Sequence, residues 1–158
     1  FAPLNRAVGN FREQTEVVNV GIKKIFQIAS DVVHYPEWCG TGIKSVKILR
    51  EQGDYTEACY KAGAFGYMFD FVLAFQKQAY DKVTFRMLEG GSIQRLEGEY
   101  RFEEQGEDAC KVHFALCAEL AGFIPGFVQN SIGNMIMAIA VGELAKYCES
   151  ARSAHITV

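Results

Sequence analysis

The sequence predicts an α+β domain in which a strongly curved antiparallel sheet of seven strands wraps around one long C-terminal helix. Two observations carry this prediction. Strand-like segments follow one another with short, mostly glycine-containing turns between them, as in a sheet built from hairpins. After the last strand, the segment 125–150 is apolar over a wide face and has Pro125 in its first turn. A single apolar helix at the end of such a sheet is buried only if the concave face of the sheet holds it.

The elements are assigned in chain order. The segment 11–20 is rich in valine and is predicted to be the first strand. Two short helices follow, one over 23–30 and one that begins near Pro36, and Gly40 and Gly42 end the second of them. The later strands are predicted at 43–50, 55–62, 67–78, 80–89, 93–103 and 110–120, and the long helix at 125–150.

The chain has 158 residues, the length of one domain with one core. We divide it into an extended N-terminal arm, 1–10, a domain, 11–150, and a C-terminal tail, 151–158. The longest apolar run, 135–141, is far shorter than the roughly 20 residues that cross a bilayer, so we expect no transmembrane segment.

The charge pattern and the cysteines exclude several classes of function. The net charge is −3 and the basic residues are scattered, which argues against a nucleic-acid partner. The 5 cysteines include no C-x-x-C pair, and the 3 histidines lie far apart in the sequence. We therefore expect no disulfide framework and no metal site, as is typical of a reducing compartment.

The first three residues suggest a location. Phe1-Ala2-Pro3 resembles the cleavage motif of proteins imported into complex plastids of red-algal descent, where the cut falls before the phenylalanine. We expect a plastid protein, in the stroma or associated with the thylakoid. The alternative is the cytoplasm or another reducing compartment.

Several segments together resemble a known family. The segment 31–38, with Asp31, Tyr35-Pro36 and Trp38, followed by 43–49, resembles the start of the polyketide cyclase/dehydrase-like lipid-transport proteins of the START/Bet v 1 superfamily. The resemblance continues through 96–102, 112–116 and 124–127, and it covers most of the chain. It implies a helix-grip fold and binding of lipids, isoprenoid quinones, sterols, polyketides or pigments, with only some members being enzymes. The coenzyme-Q-binding branch is similar too, but its Pro-Trp-Cys element is not matched, because no proline precedes Trp38-Cys39.

A cavity between the sheet and the long helix is the predicted binding site. The apolar faces of the alternating strands and the broad stripe of the helix would line it, and Tyr35 and Trp38 would stand near its mouth. The candidate ligand-binding residues are Tyr35, Trp38, Tyr60, Phe69, Phe71, Phe85, Leu96, Gly98, Tyr100, Phe114, Leu116, Phe127, Ile132, Met135, Ile136 and Ile139. Ordinary core packing is the competing interpretation for the aromatic residues.

The strand 67–78 is apolar on both faces, so one face needs cover from something outside the core. The arm, a protein partner or a membrane could supply it, and we favour the arm or a partner. Asp70 is the one charged residue in the middle of this strand. Inside the cavity it would be a weak catalytic candidate, whereas on the solvent side it would protect an apolar strand from aggregation, which we favour.

Three functional hypotheses remain open. The first is non-catalytic binding of a hydrophobic small molecule, such as a lipid, an isoprenoid quinone or a pigment. The second is an accessory subunit or assembly factor of a membrane complex, such as a photosynthetic one, that uses the arm and strand 67–78 as its interface. The third is a cyclase or dehydratase, which needs an acid–base residue in the cavity, and Asp70, Tyr60 and Tyr100 are the candidates. We predict no cofactor other than such a bound molecule, and we favour a protein that is not an enzyme.

Overall fold

The computed structural model describes residues 1–40 and 42–156, with side chains described up to residue 150. The helices are α1 (Ile22–Ser30), a 3₁₀ helix (Val32–Glu37), α2 (Gly126–Met137), a π-helical segment (Ala138–Glu143) and α3 (Leu144–Ile156). The strands are β1 (Arg12–Val18), β2 (Ile43–Gln52), β3 (Tyr55–Ala64), β4 (Tyr67–Gln78), β5 (Lys82–Glu89), β6 (Ile93–Glu104) and β7 (Cys110–Leu120).

The seven strands form one antiparallel sheet in the order β1-β7-β6-β5-β4-β3-β2. Consecutive strands from β2 to β7 are neighbours, and β1 pairs with β7 at the far edge. The core lies between the concave face of this sheet and the helices. The predicted α+β helix-grip architecture, with its two short helices after the first strand, is therefore confirmed.

Three element boundaries differ most from the prediction. The second short helix, predicted to begin near Pro36, spans Val32–Glu37, so Pro36 lies near its end. β5 begins at Lys82 and not at residue 80, because Tyr80 and Asp81 form a turn in which the Asp81 amide donates to the Gln78 carbonyl at 2.7 Å. The C-terminal helix continues to Ile156, so residues 151–156 of the predicted tail extend the helix. Residues 157 and 158 lie outside the described part of the chain.

The C-terminal helix contains one wide turn. Residues Ala138–Glu143 are π-helical, and this segment includes Gly142, a residue type of low helix propensity. Short π segments within α-helices are rare, and those that occur often lie at functional sites.

Gly133 marks a close approach between α2 and β1. A Cβ atom at this position would lie 2.6 Å from Cζ of Arg12, so the missing side chain makes room for the guanidinium. Arg12 donates hydrogen bonds to Oδ1 of Asn130, at 2.8 Å, and to Oδ1 of Asn134. These contacts hold β1 against α2 at the edge of the sheet.

The N-terminal arm crosses the outer face of the sheet. Arg86 on β5 donates to the carbonyl oxygen of Ala2 at 3.2 Å, and its guanidinium lies 5.1 Å from the centre of the Phe1 ring. Arg6 forms an ion pair with the buried carboxylate of Glu99 on β6 at 3.3 Å. The arm therefore packs on the outer surface of β5 and β6.

The two faces of β4 have different environments. Phe69, Phe71 and Leu73 are buried on the concave side, whereas Met68 and Asp70 are exposed on the outer side. Asp70 therefore faces solvent, as expected of a charge that protects an apolar strand. An interface with a partner protein through this strand stays a prediction.

β2 forms the other edge of the sheet and is irregular. Its pairing with β3 shifts register between Ile43 and Ser45 and again between Ile48 and Arg50. In the described pairing, Lys44 and Leu49 therefore have no opposite residue on β3.

Candidate ligand-binding cavity

A cavity of about 170 Å³ lies between the concave face of the sheet and the C-terminal helix. Strands β2 to β7 contribute alternate residues to its wall, since every second side chain of a strand points to the same face. The segment around Trp38 covers one side, and α2 and the π segment cover the other.

The structure places all the sequence-predicted ligand-binding residues at this wall except Gly98 and Phe127. The residues that it brings together are Tyr35, Trp38, Tyr60, Phe69, Phe71, Phe85, Leu96, Tyr100, Phe114, Leu116, Ile132, Met135, Ile136 and Ile139. That these residues contact a ligand stays a prediction.

Gly98 serves packing and does not line the cavity. A Cβ atom at this position would lie 2.5 Å from Cζ of Phe85 and 2.5 Å from the carbonyl oxygen of Ala115 on β7. The glycine therefore makes room for the ring of Phe85, and it is this ring that forms the cavity wall.

Gly98→Ala is expected to lower the free energy of unfolding by about 1–3 kcal/mol, because the new methyl group must displace both a ring and a backbone carbonyl. Urea denaturation measures this loss. Gly122→Ala is the control, since nothing lies within 4 Å of a Cβ at that exposed glycine. Equal stability of the two variants would contradict the packing role of Gly98.

Phe127 was also predicted to be a ligand-binding residue of the cavity, but the structure does not place it at the cavity wall. The side chain lies in the first turn of α2 and is 76% exposed. It precedes Ile136 by about two and a half helical turns, so the two side chains point to opposite sides of the helix. Ile136 lines the cavity, and Phe127 consequently faces away from it.

Sequence reasoning missed a dozen wall residues. They are Cys39, Gly42, Ile43, Ala62, Gly63, Ala64, Leu73, Phe75, Ile93, Ala118, Leu120 and Ala140. Strict alternation would have found part of this set, because Ala62 follows Tyr60 on the same face, and Leu73 and Phe75 follow Phe71. Gly42 and Gly63 carry no side-chain signal of their own.

Four wall residues carry a titratable side-chain group: Tyr35, Cys39, Tyr60 and Tyr100. The Tyr35 hydroxyl donates to the carbonyl oxygen of Ala29, and the Tyr100 hydroxyl donates to that of Ala140 at 2.6 Å. The Tyr60 hydroxyl has no hydrogen-bond partner among the described residues.

All four of these groups are neutral at pH 7. Burial raises the pKa of the Tyr35, Tyr60 and Tyr100 hydroxyls well above their ordinary value. Burial, with a smaller effect of nearby Glu143, raises the pKa of the Cys39 thiol to about 12. The described wall contains no Asp, Glu, His, Lys or Arg side chain, and Asp70 lies on the opposite face of β4.

The Ala140 carbonyl that Tyr100 binds lies in the π segment. A π turn changes which amide groups the backbone carbonyls accept hydrogen bonds from. The Ala140 carbonyl accepts a hydrogen bond from the Tyr100 hydroxyl on β6. The bond fixes the helix to the middle of the sheet at the wall of the cavity.

The cavity is partly open at one end. Its half-buried wall residues belong to the end of β3, the start of β2 and the adjacent face of α2, where Ala64, Ile43 and Met135 lie. The fully buried residues Tyr60, Tyr100 and Phe114 form the inner end. A ligand would therefore enter between α2 and the β3–β4 turn.

Within the described residues, no group of three or more His, Cys, Asp or Glu side chains is placed to hold a metal ion. The described helices include none that is both long and apolar enough to span a membrane.

Comparison with protein families gives a match to the family described as polyketide cyclase/dehydrase and lipid transport, over residues 18–138. The match includes the 3₁₀ helix, all strands from β2 to β7 and α2. A comparison with curated proteins found no match.

Solved structures share the fold at low sequence identity. A START superfamily protein from Mycobacterium smegmatis superposes with a TM-score of 0.79 at 20% identity, over 90% of this chain and 99% of the other. The Zhui aromatase/cyclase from Streptomyces sp. R1128 gives 0.76 at 15% identity, over 89% and 93%. A norcoclaurine synthase from Thalictrum flavum gives 0.70 at 15% identity, over 92% and 97%. At these identities the similarity establishes the fold.

Proposed function

Since the chain belongs to the polyketide cyclase/dehydrase and lipid transport family, we propose that it binds a hydrophobic small molecule, such as a lipid, an isoprenoid quinone or a pigment, and does not transform it. The observation that carries this proposal is the uncharged, almost wholly apolar wall of the cavity. Affinity would come from burial of apolar surface, worth about 25 cal/mol per Å².

The size of the cavity limits what it encloses. An apolar cavity of about 150 Å³ stays dry and binds benzene. The cavity of about 170 Å³ therefore holds one ring or a short branched segment, and the rest of a longer ligand would extend through the open end.

The titratable groups support binding over acid–base catalysis. A general acid or base works best with a pKa near the operating pH, whereas the pKa of each titratable group at the wall is raised. The cyclase or dehydratase hypothesis keeps one specific support, because a tyrosine hydroxyl polarises a carbonyl by a hydrogen bond without titrating. The side chains of the core do not fill this cavity, which argues against a purely structural subunit.

Native mass spectrometry of the protein purified from the cells that make it, followed by solvent extraction, tests the proposal. A defined, unmodified lipid, quinone or pigment at one molecule per chain is the expected result. An empty protein would contradict it, and a bound product that the purified protein also forms from a precursor would establish an enzyme.

Ala62→Phe is expected to weaken ligand binding about tenfold and so to lower the bound fraction, because the new ring occupies part of the cavity and a penalty of about 1.4 kcal/mol corresponds to a factor of ten in Kd. The same mass measurement provides the result. Ala121→Phe is the matched control, since Ala121 lies in the loop after β7 and outside the wall. Equal occupancy in the two variants would place the ligand elsewhere.

A further inference from the structure

The hydroxyl of Tyr60 is an unpaired polar group in the wall of the cavity. The residue is 2% exposed, and no described donor or acceptor lies within hydrogen-bond distance of its oxygen. Buried hydroxyls in proteins nearly always have a partner, because an unmet hydrogen bond costs stability. An unpaired, buried hydroxyl on a residue of the cavity wall therefore points to a group that enters the cavity from outside.

The ring of Tyr60 is held firmly in place. It stacks on Phe71 with a centroid distance of 5.3 Å and an interplanar angle of 9°, and it packs against Phe75 at 6.3 Å. The hydroxyl position is thus set before any ligand arrives, which reduces the entropy cost of binding.

Of the three tyrosines at the wall, Tyr60 is the one whose hydroxyl does not already donate a hydrogen bond to a described protein group. The hydroxyls of Tyr35 and Tyr100 donate to the backbone carbonyls of Ala29 and Ala140. Burial raises the pKa of Tyr60, so its hydroxyl keeps its proton at neutral pH and remains a donor. The group that Tyr60 lacks is an acceptor.

We propose that Tyr60 donates a hydrogen bond to a carbonyl oxygen of a neutral, otherwise apolar ligand, and so fixes which end of the ligand lies deepest. This inference rests on the proposed binding function and deepens it. The described wall offers no Lys, Arg or His to a buried anion, so a carboxylate or phosphate would enter without a counter-charge. A ketone, quinone or ester carbonyl fits both the Tyr60 donor and the neutral wall.

Two probe molecules of one shape test the inference. Acetophenone carries a carbonyl where α-methylstyrene carries a methylene group, and each has one ring, which suits the size of the cavity. Calorimetric titration of wild type and Tyr60→Phe with both probes gives the ratio of their affinities. We expect Tyr60→Phe to lower the preference for acetophenone about three- to tenfold, since the variant removes one neutral hydrogen bond.

Thr56→Val is the matched control. Its hydroxyl is the other buried and unpaired one in the described chain, and it lies on the same strand but outside the wall. We expect this variant to leave the ratio of affinities unchanged.

A second measurement observes the carbonyl group of the bound probe in the wild type and in Tyr60→Phe. The carbon signal of acetophenone labelled with ¹³C at the carbonyl is expected to move downfield on binding, as a carbonyl does when it accepts a hydrogen bond, and to stay in place with Tyr60→Phe. An unchanged affinity ratio with both probes bound would overturn the role of Tyr60 and leave the proposed binding function intact. Binding of neither probe to the wild type would overturn both.

Discussion

Raising the pH from about 8 to about 11 is expected to unfold this protein. Five buried acids cause the loss of stability: Tyr35, Cys39, Tyr60, Tyr100 and Cys148. Burial raises the pKa of all five, and for Cys39 and Cys148 to about 12. In the unfolded chain, the cysteines lose their protons near pH 9.0 and the tyrosines near pH 10.0.

The direction of the effect follows from proton counts. Above these values the unfolded chain binds fewer protons than the folded chain, so the free energy of unfolding falls as the pH rises. Each group contributes up to about 1.4 kcal/mol per pH unit. Because a domain is typically stable by about 5–15 kcal/mol, five such groups remove much of that within two pH units.

Urea denaturation at a series of pH values measures the slope of stability against pH. Tyr60→Phe should make the slope shallower by about one proton, or 1.4 kcal/mol per pH unit, in the alkaline range. Thr56→Val provides the control, because it also removes a buried hydroxyl but one that does not titrate. A stability that stays constant up to pH 11 would show that the five groups are not buried as described.

Phe75→Ala is expected to lower the free energy of unfolding by about 3–5 kcal/mol at pH 7, the range for a phenylalanine truncated in a core. Phe75 is 1% exposed. Its ring centre lies 6.2 Å from that of Tyr35, 6.3 Å from that of Tyr60 and 6.0 Å from that of Phe85. The ring thus joins the 3₁₀ helix, β3 and β5 across the cavity wall, and its removal would merge a new void with the cavity.

Thermal and urea denaturation at pH 7 measure this loss. Phe123→Ala is the matched control, because the same truncation at a side chain that is 72% exposed should change stability by less than about 0.5 kcal/mol. A loss below about 1 kcal/mol at Phe75 would mean that this part of the core rearranges to fill the space.

The alternation of apolar residues predicted part of the sheet side of the cavity. On β6 and β7, the side chains of Leu96, Tyr100, Phe114 and Leu116 were assigned to the concave face, and all four lie at the wall. A strand has a period of two, so its inward face follows from local sequence once one face is known to be buried.

The helix side was less predictable, because a broad apolar stripe does not show which part of it meets the sheet. Phe127 belongs to the stripe by composition, yet it lies on the far side of the helix from Ile136 and is exposed. The π turn and the hydrogen bond from Tyr100 to the Ala140 carbonyl depend on tertiary contacts, and no sequence pattern predicts them. The plastid origin inferred from Phe1-Ala2-Pro3 and the partner surface on β4 stay predictions.

The two register shifts in β2 have a consequence for self-association. An outer strand with free amide and carbonyl groups is a template on which another chain can add a strand and begin an aggregate. Here a new strand would meet regular pairing geometry over no more than four residues in a row, from Ser45 to Ile48, because Lys44 and Leu49 interrupt it on either side. So short a stretch, with Lys47 within it, gives little support to cross-chain pairing. The irregular edge thus disfavours the addition of a foreign strand at β2.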